Sequence, residues 1–97
     1  MNVHFEYNVA NGVDGILEWN VRTDVIPDVE EVVILPVTEI LGKKKHLLRF
    51  KVMNRTFWFT SKEGVGGELE GIKIDLDYSP SDDASYIPSL GGCEAGW

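Results

Sequence analysis

The sequence predicts an all-β fold, mainly antiparallel, built as a small sandwich or partly open barrel of about six strands with an irregular C-terminal tail. Two observations carry this expectation. Several segments alternate apolar and polar residues with a period of two, which puts one strand face in a core and the other in water. Turn-forming residues separate those segments at spacings of about ten residues, and no strand–helix–strand rhythm intervenes.

The first strand is the clearest: Val3, Phe5, Tyr7 and Val9 alternate with His4, Glu6 and Asn8. Asn11-Gly12 and Asp14-Gly15 tolerate positive φ, so Ala10 to Gly15 reads as a hairpin connection. A second strand runs from Ile16 to Thr23, with Leu17, Trp19 and Val21 on one face. Between 24 and 42 two signals compete. Asp28 can cap a short helix over Val29 to Leu35, whereas Val32-Val33-Ile34 is β-branched and strand-like. Pro36 decides for the strand, because within a helix it removes a hydrogen bond and clashes, at about 3 kcal/mol. The expectation is a strand from Glu30 to Leu35 that ends or bulges at Pro36, then a short strand from Val37 to Leu41.

Alternation returns from Lys45 to Met53, with His46, Leu48, Phe50 and Val52 on one side. Asn54-Arg55 reads as a tight turn that sends Thr56 to Ser61 back antiparallel, completing a hairpin. Gly64, Gly66, Gly67 and Gly71 make Glu63 to Gly71 a flexible loop or a wide, bulged strand edge. Ile72, Ile74, Leu76 and Tyr78 alternate with Lys73, Asp75 and Asp77 as the last amphipathic strand. The expected domain is therefore residues 1–78. Residues 79–97 form an acidic, Gly-rich tail, either packed back through Tyr86, Ile87, Leu90 and Trp97 or free as a partner-binding peptide.

The chain has 97 residues, enough for one modest core. Cys93 is its single cysteine, so no intrachain disulfide forms and stability rests on packing. Met1 to Ala10 has neither a basic region nor a continuous apolar run of the signal-peptide kind, and Val32 to Val37 is far shorter than the roughly 20 residues that cross a bilayer. A cytoplasmic protein without membrane contact is expected.

The net charge of −7 is unevenly distributed. Residues 1–42 hold eight acidic groups against Arg22, and residues 63–97 hold eight against Lys73. Residues 43–62 hold seven basic groups and no acid. Such a block serves either as a phosphate-binding surface or as the complement of its acidic neighbours across strands. The acidic balance of the whole domain favours complementarity, since nucleic-acid modules are usually basic overall.

No catalytic constellation is visible. The two histidines, His4 and His46, stand at strand positions outside any nucleophile elbow. Gly64-Val65-Gly66-Gly67 lacks the Gly-Lys-Ser/Thr of a phosphate loop. Asp75-Leu76-Asp77-Tyr78-Ser79 opens like a calcium loop, but Pro80 and Tyr86 occupy the positions that need Gly and Glu. One cysteine and two distant histidines give no zinc pattern. The expectation is a non-enzyme with no catalytic, cofactor or metal residues and no cofactor.

The first functional expectation is an acidic protein-binding domain. It acts as an inhibitor or adaptor by occupying a basic surface of a partner, such as a nucleic-acid-handling enzyme, through Asp75, Asp77, Asp82 and Asp83. Phage-encoded inhibitors include domains of this size and charge, an analogy alone. The alternative is a nucleic-acid or small-ligand module built on the 43–62 hairpin, with Phe57, Trp58 and Phe59 stacking beside Lys51 and Arg55. A structural subunit that closes its apolar face in an oligomer is the third.

Overall fold

The computed structural model describes residues 1–9, 15–62, 65–79 and 93–96. They form six strands: β1 (Asn2–Asn8), β2 (Ile16–Arg22), β3 (Val32–Glu39), β4 (Lys45–Lys62), β5 (Val65–Tyr78) and β6 (Cys93–Ala95). One sheet joins them in the order β2-β1-β5-β4-β3-β6. Every neighbouring pair is antiparallel except β1 and β5, and the sheet curls into a nearly closed barrel. Among the described residues there is no helix, and so none long and apolar enough to cross a membrane.

The inward positions are those the alternation marks. Val3 and Phe5 of β1, Leu17 and Trp19 of β2, Leu35 and Val37 of β3, Leu48, Phe50 and Val52 of β4, and Ile72, Ile74 and Leu76 of β5 are all buried. Phe50 lies at their centre, its ring 5.2 Å from that of Trp19, 5.5 Å from Tyr7 and 5.7 Å from Tyr78, all tilted. Tilted contacts of this kind favour the arrangement beyond area burial, by about 0.5–1.5 kcal/mol each.

Three expectations change. The two short strands expected on either side of Pro36 are one strand, β3. The Pro36 carbonyl accepts a hydrogen bond from Gly96 N at 3.0 Å, on the β6 side. A strand residue's nitrogen and carbonyl point the same way, so the missing N–H faces this short edge strand, and the ladder to β4 is intact. The turn at Asn54-Arg55 does not form either. β4 runs through it, and the return strand is β5, not Thr56 to Ser61. The register shifts where Val52 faces Leu76 and Asn54 faces Asp75, leaving Met53 as an extra residue. This bulge reverses the parity of β4: even-numbered residues face inward up to Val52, and Arg55 and Phe57 do so beyond it. Finally, part of the expected tail, Cys93 to Ala95, is β6, and Cys93 is buried.

The glycine-rich stretch from Val65 is the bulged strand option of the two foreseen: Trp58 faces Gly71, Phe59 faces Leu69, and Glu70 is the extra residue. The Ala10 to Gly15 connection falls outside the described residues except for Gly15, which has φ 88°. Tyr86, Ile87, Leu90 and Trp97 also lie outside them.

β4 and β5 outrun the barrel. β3 pairs with β4 only as far as Lys51, and β1 pairs with β5 only from Ile72 to Leu76. The remainder is a two-stranded arm that draws the molecule out to 52 × 24 × 23 Å.

The barrel's open seam lies between β2 and the β3/β6 edge. Trp19, fully buried on β2, donates its indole N–H to the Pro36 carbonyl at 2.7 Å. Beside it runs an apolar recess of about 370 Å³, lined by Phe5, Val21, Val25, Val33 and Leu35 among others. Trp19→Phe keeps most of the apolar volume and removes the donor, so it is expected to cost about 1–3 kcal/mol in urea denaturation. An unchanged midpoint would show that the bond contributes nothing to closure. At Gly96, which donates to the same carbonyl, a Cβ would meet Thr38 Oγ1, Thr38 N at 3.0 Å and Val37 C at 3.1 Å. Gly96→Ala must therefore push β6 off β3, costing about 1–3 kcal/mol and speeding amide exchange along the Val37 to Glu39 backbone.

Candidate functional site

The outward residues of β2, β1 and β5 form two rows set by register. His4 stands between Asn20 and Lys73, and Glu6 stands between Glu18 and Asp75. The second row therefore lines up three carboxylates from three strands. Like charges directly opposite one another destabilise a sheet, and the first row supplies the compensation. Lys73 Nζ lies 3.3 Å from Glu6 Oε2 and 3.5 Å from Asp75 Oδ1. The hydrogen bond to Glu6, then the charges of Asp75 and Glu6, raise the Lys73 ammonium above its ordinary pKa. His4 Nε2 lies 3.6 Å from Glu6 Oε2 and 3.5 Å from Glu18 Oε1, while its Nδ1 is 2.9 Å from Asn20 Oδ1.

Of the four acidic residues expected to meet a partner, Asp75 is half-buried in this row, and Asp77 is exposed two residues further along β5. Asp82 and Asp83 lie outside the described residues. Sequence reasoning missed Glu6 and Glu18, because the carboxylates that meet here come from three strands of which only β1 and β2 are consecutive. The outward parity of Glu6, Glu18 and Asp75 is the signal that could have found them.

The alternative site is divided. Lys51 Nζ is 2.6 Å from Glu30 Oε2, and Arg55 Nη1 is 3.0 Å from Asp28 Oδ1. The segment carrying these acids is tied to β4 at Val52, which accepts from Glu30 N and donates to the Glu31 carbonyl. Glu30 holds a left-handed φ of 80° there. Its hydrogen bond and then its charge raise Lys51 above the ordinary lysine value. The cations are thus committed within the chain, while the aromatic residues remain outside. Phe57, Trp58 and Phe59 are all exposed on the arm, Phe59 to 65%. Phe57 faces Ile72 and shares the inner face, with Arg55 5.7 Å from its ring centroid. Trp58 faces Gly71 and stands on the outer face with Lys73 and Asp75.

A third group gathers at the barrel end where β3 finishes. Glu39 faces Cys93 across the β3–β6 ladder, and its Oε2 lies 3.4 Å from His46 Nε2. The His46 side chain is 8% exposed, and that nitrogen makes no hydrogen bond among the described residues. Burial, and then the Glu39 charge, push the Cys93 thiol above its ordinary pKa. This holds Cys93 as a thiol at neutral pH, against the thiolate that nucleophilic chemistry needs.

Four groups, Cys93, Tyr7, Lys51 and Lys73, bind their protons more tightly in the folded chain; for Tyr7 the leading cause is burial, followed by the Asp77 charge. A raised folded pKa stabilises the protein below the unfolded value, and that contribution is lost as pH climbs through the folded one. The ordinary values are 9.0 for the thiol, 10.0 for the phenol and 10.5 for the lysines. Urea midpoints are therefore expected to fall progressively once the pH exceeds about 9, with Cys93→Ala flattening the first part of the decline. A level wild-type profile between pH 8 and 11 would contradict these shifts.

No family model, curated protein or solved structure matches the chain, so the chemistry of these faces rests on their geometry.

Proposed function

We propose that this chain is a small protein-binding domain that docks the acidic outer face of β2, β1 and β5 onto a basic surface of another protein. It acts as an inhibitor or adaptor by occupying that surface, and a nucleic-acid-handling enzyme is the class of partner whose surface suits it. The observation that carries this reading is the carboxylate row Glu18, Glu6 and Asp75, extended along β5 by Asp77. Carboxylates outnumber the cations Lys73 and Arg22 on this face, and an excess of one sign raises the association rate with a partner of opposite sign and rejects partners of its own sign. Trp58 on the same outer face adds an amphipathic ring of the kind that anchors interfaces.

Binding of single-stranded nucleic acid by the arm is the second reading, favoured by the exposure of Phe57, Trp58 and Phe59. It requires Lys51 and Arg55 to leave Glu30 and Asp28, and so draws less support.

Affinity capture from lysate at low and high salt, with and without nuclease, separates the two. The protein-binding reading expects a basic protein that survives nuclease and is released by salt. The double reversal Asp75→Lys/Asp77→Lys should slow its association roughly tenfold or more, with the fold checked by circular dichroism. Capture that disappears with nuclease and with Trp58→Ala, yet survives the reversal, transfers the function to the arm.

A further inference from the structure

Among the described residues, His4, Glu6 and Glu18 bring three metal-ligand atoms within 4.8 Å of one another. We propose that they form a binding site for a divalent transition-metal ion of the zinc type, with water completing the coordination. The carboxylates alone do not carry this; the imidazole does. In the neutral imidazole that donates Nδ1–H to Asn20 Oδ1 across 2.9 Å, the Nε2 lone pair is directed at Glu6 and Glu18. That nitrogen then faces Glu18 Oε1 across 3.5 Å and Glu6 Oε2 across 3.6 Å, the latter oxygen also meeting Lys73 Nζ at 3.3 Å. Histidines that ligate metals show the same pattern, with the second ring N–H held by an oxygen that fixes tautomer and ring orientation.

The dimensions suit the ion. Zinc bonds of 2.0–2.2 Å to nitrogen and oxygen place neighbouring tetrahedral ligands roughly 3.3 Å apart, so small rotations of Glu6 and Glu18 complete the geometry. Mixed imidazole and carboxylate donors suit zinc, cobalt and nickel better than calcium, which prefers oxygen alone. Lys73 contacts Glu6 through Oε2 and acts as a cationic neighbour that limits the total negative charge. The ligands sit on paired strands whose inward residues are core, which fixes their backbone positions before any ion arrives. The proposal concerns the isolated domain and stands or falls separately from partner binding.

The test is calorimetric titration of chelator-treated full-length protein with Zn²⁺, with Co²⁺ absorption reporting coordination. The expected result is saturable binding of one ion with a rise in thermal midpoint. His4→Ala and Glu18→Gln should weaken it more than about tenfold, and Asn20→Ala by roughly 10–100-fold through the freed ring. Glu94→Gln, which removes one charge elsewhere, should bind as wild type does. No binding overturns the proposal. So does equal affinity in His4→Ala, which marks an adventitious ion on an acidic surface, or loss of binding in Cys93→Ser with His4→Ala unaffected, which places the ion at the Cys93 end of the barrel.

Discussion

One carbonyl oxygen holds the two ends of this sheet together. The order of strands leaves β2 at one end and β6 at the other, and a barrel closes only if something joins them. Here the join is the Pro36 carbonyl, which accepts the N–H of Gly96, just past β6, and the indole N–H of Trp19 from β2. Proline suits that position because it offers an acceptor on this side without a donor that would need a partner. The indole bond does in one contact what a further strand ladder would otherwise do. Because Trp19 also packs against Phe50 in a tilted ring contact, closure and core packing are set by the same side chain. Residues packed this tightly fix the inward positions, and the period-two geometry of strands then fixes which residues face outward.

That dependence explains how much was legible in the sequence. β1, β2 and β5 were readable because their alternation is unbroken from Val3, Leu17 and Ile72 onward, and the all-β class followed from them. β4 was not, because the bulge at Met53 inverts its parity, and a change of parity beside Asn54 imitates a turn. The sequence splits β3 in two because Pro36 is compatible with a strand only when its nitrogen faces an edge, and the edge in question is made by β6, almost sixty residues away in the chain. The parallel pairing of β1 with β5 is equally non-local. It is what brings Asp75 beside Glu6, and no spacing rule along one strand could show it.

Folding also redistributes the three charge blocks of the sequence. The basic block lies on β4 and its approach, where the segment ahead of β3 reaches across with Asp28 and Glu30 to meet Arg55 and Lys51. A surface ion pair contributes little stability, but two of them flanking Val52 hold that segment against the strand that starts the arm. With these cations committed, the acidic outer face of β2, β1 and β5 keeps Lys73 and Arg22 as its own counter-charges.

The carboxylate row is consequently not something the fold requires. A one-residue slip in β1 would expose Phe5 and bury Glu6, so the core locks the register completely, yet it places no demand on which polar residues point outward. Stability alone would favour opposite charges at the facing positions of Glu6, Glu18 and Asp75, as cross-strand pairs normally provide. Three carboxylates in one row, with an imidazole Nε2 within 3.6 Å of two of them, run against that preference. Groups that a sheet leaves mutually repelling gain most from a positive species arriving from outside, which is why ion binding and basic-partner binding are both read from this face. The exposed aromatic arm lies beyond the barrel, and its residues are free of the closure that Trp19 and Pro36 impose.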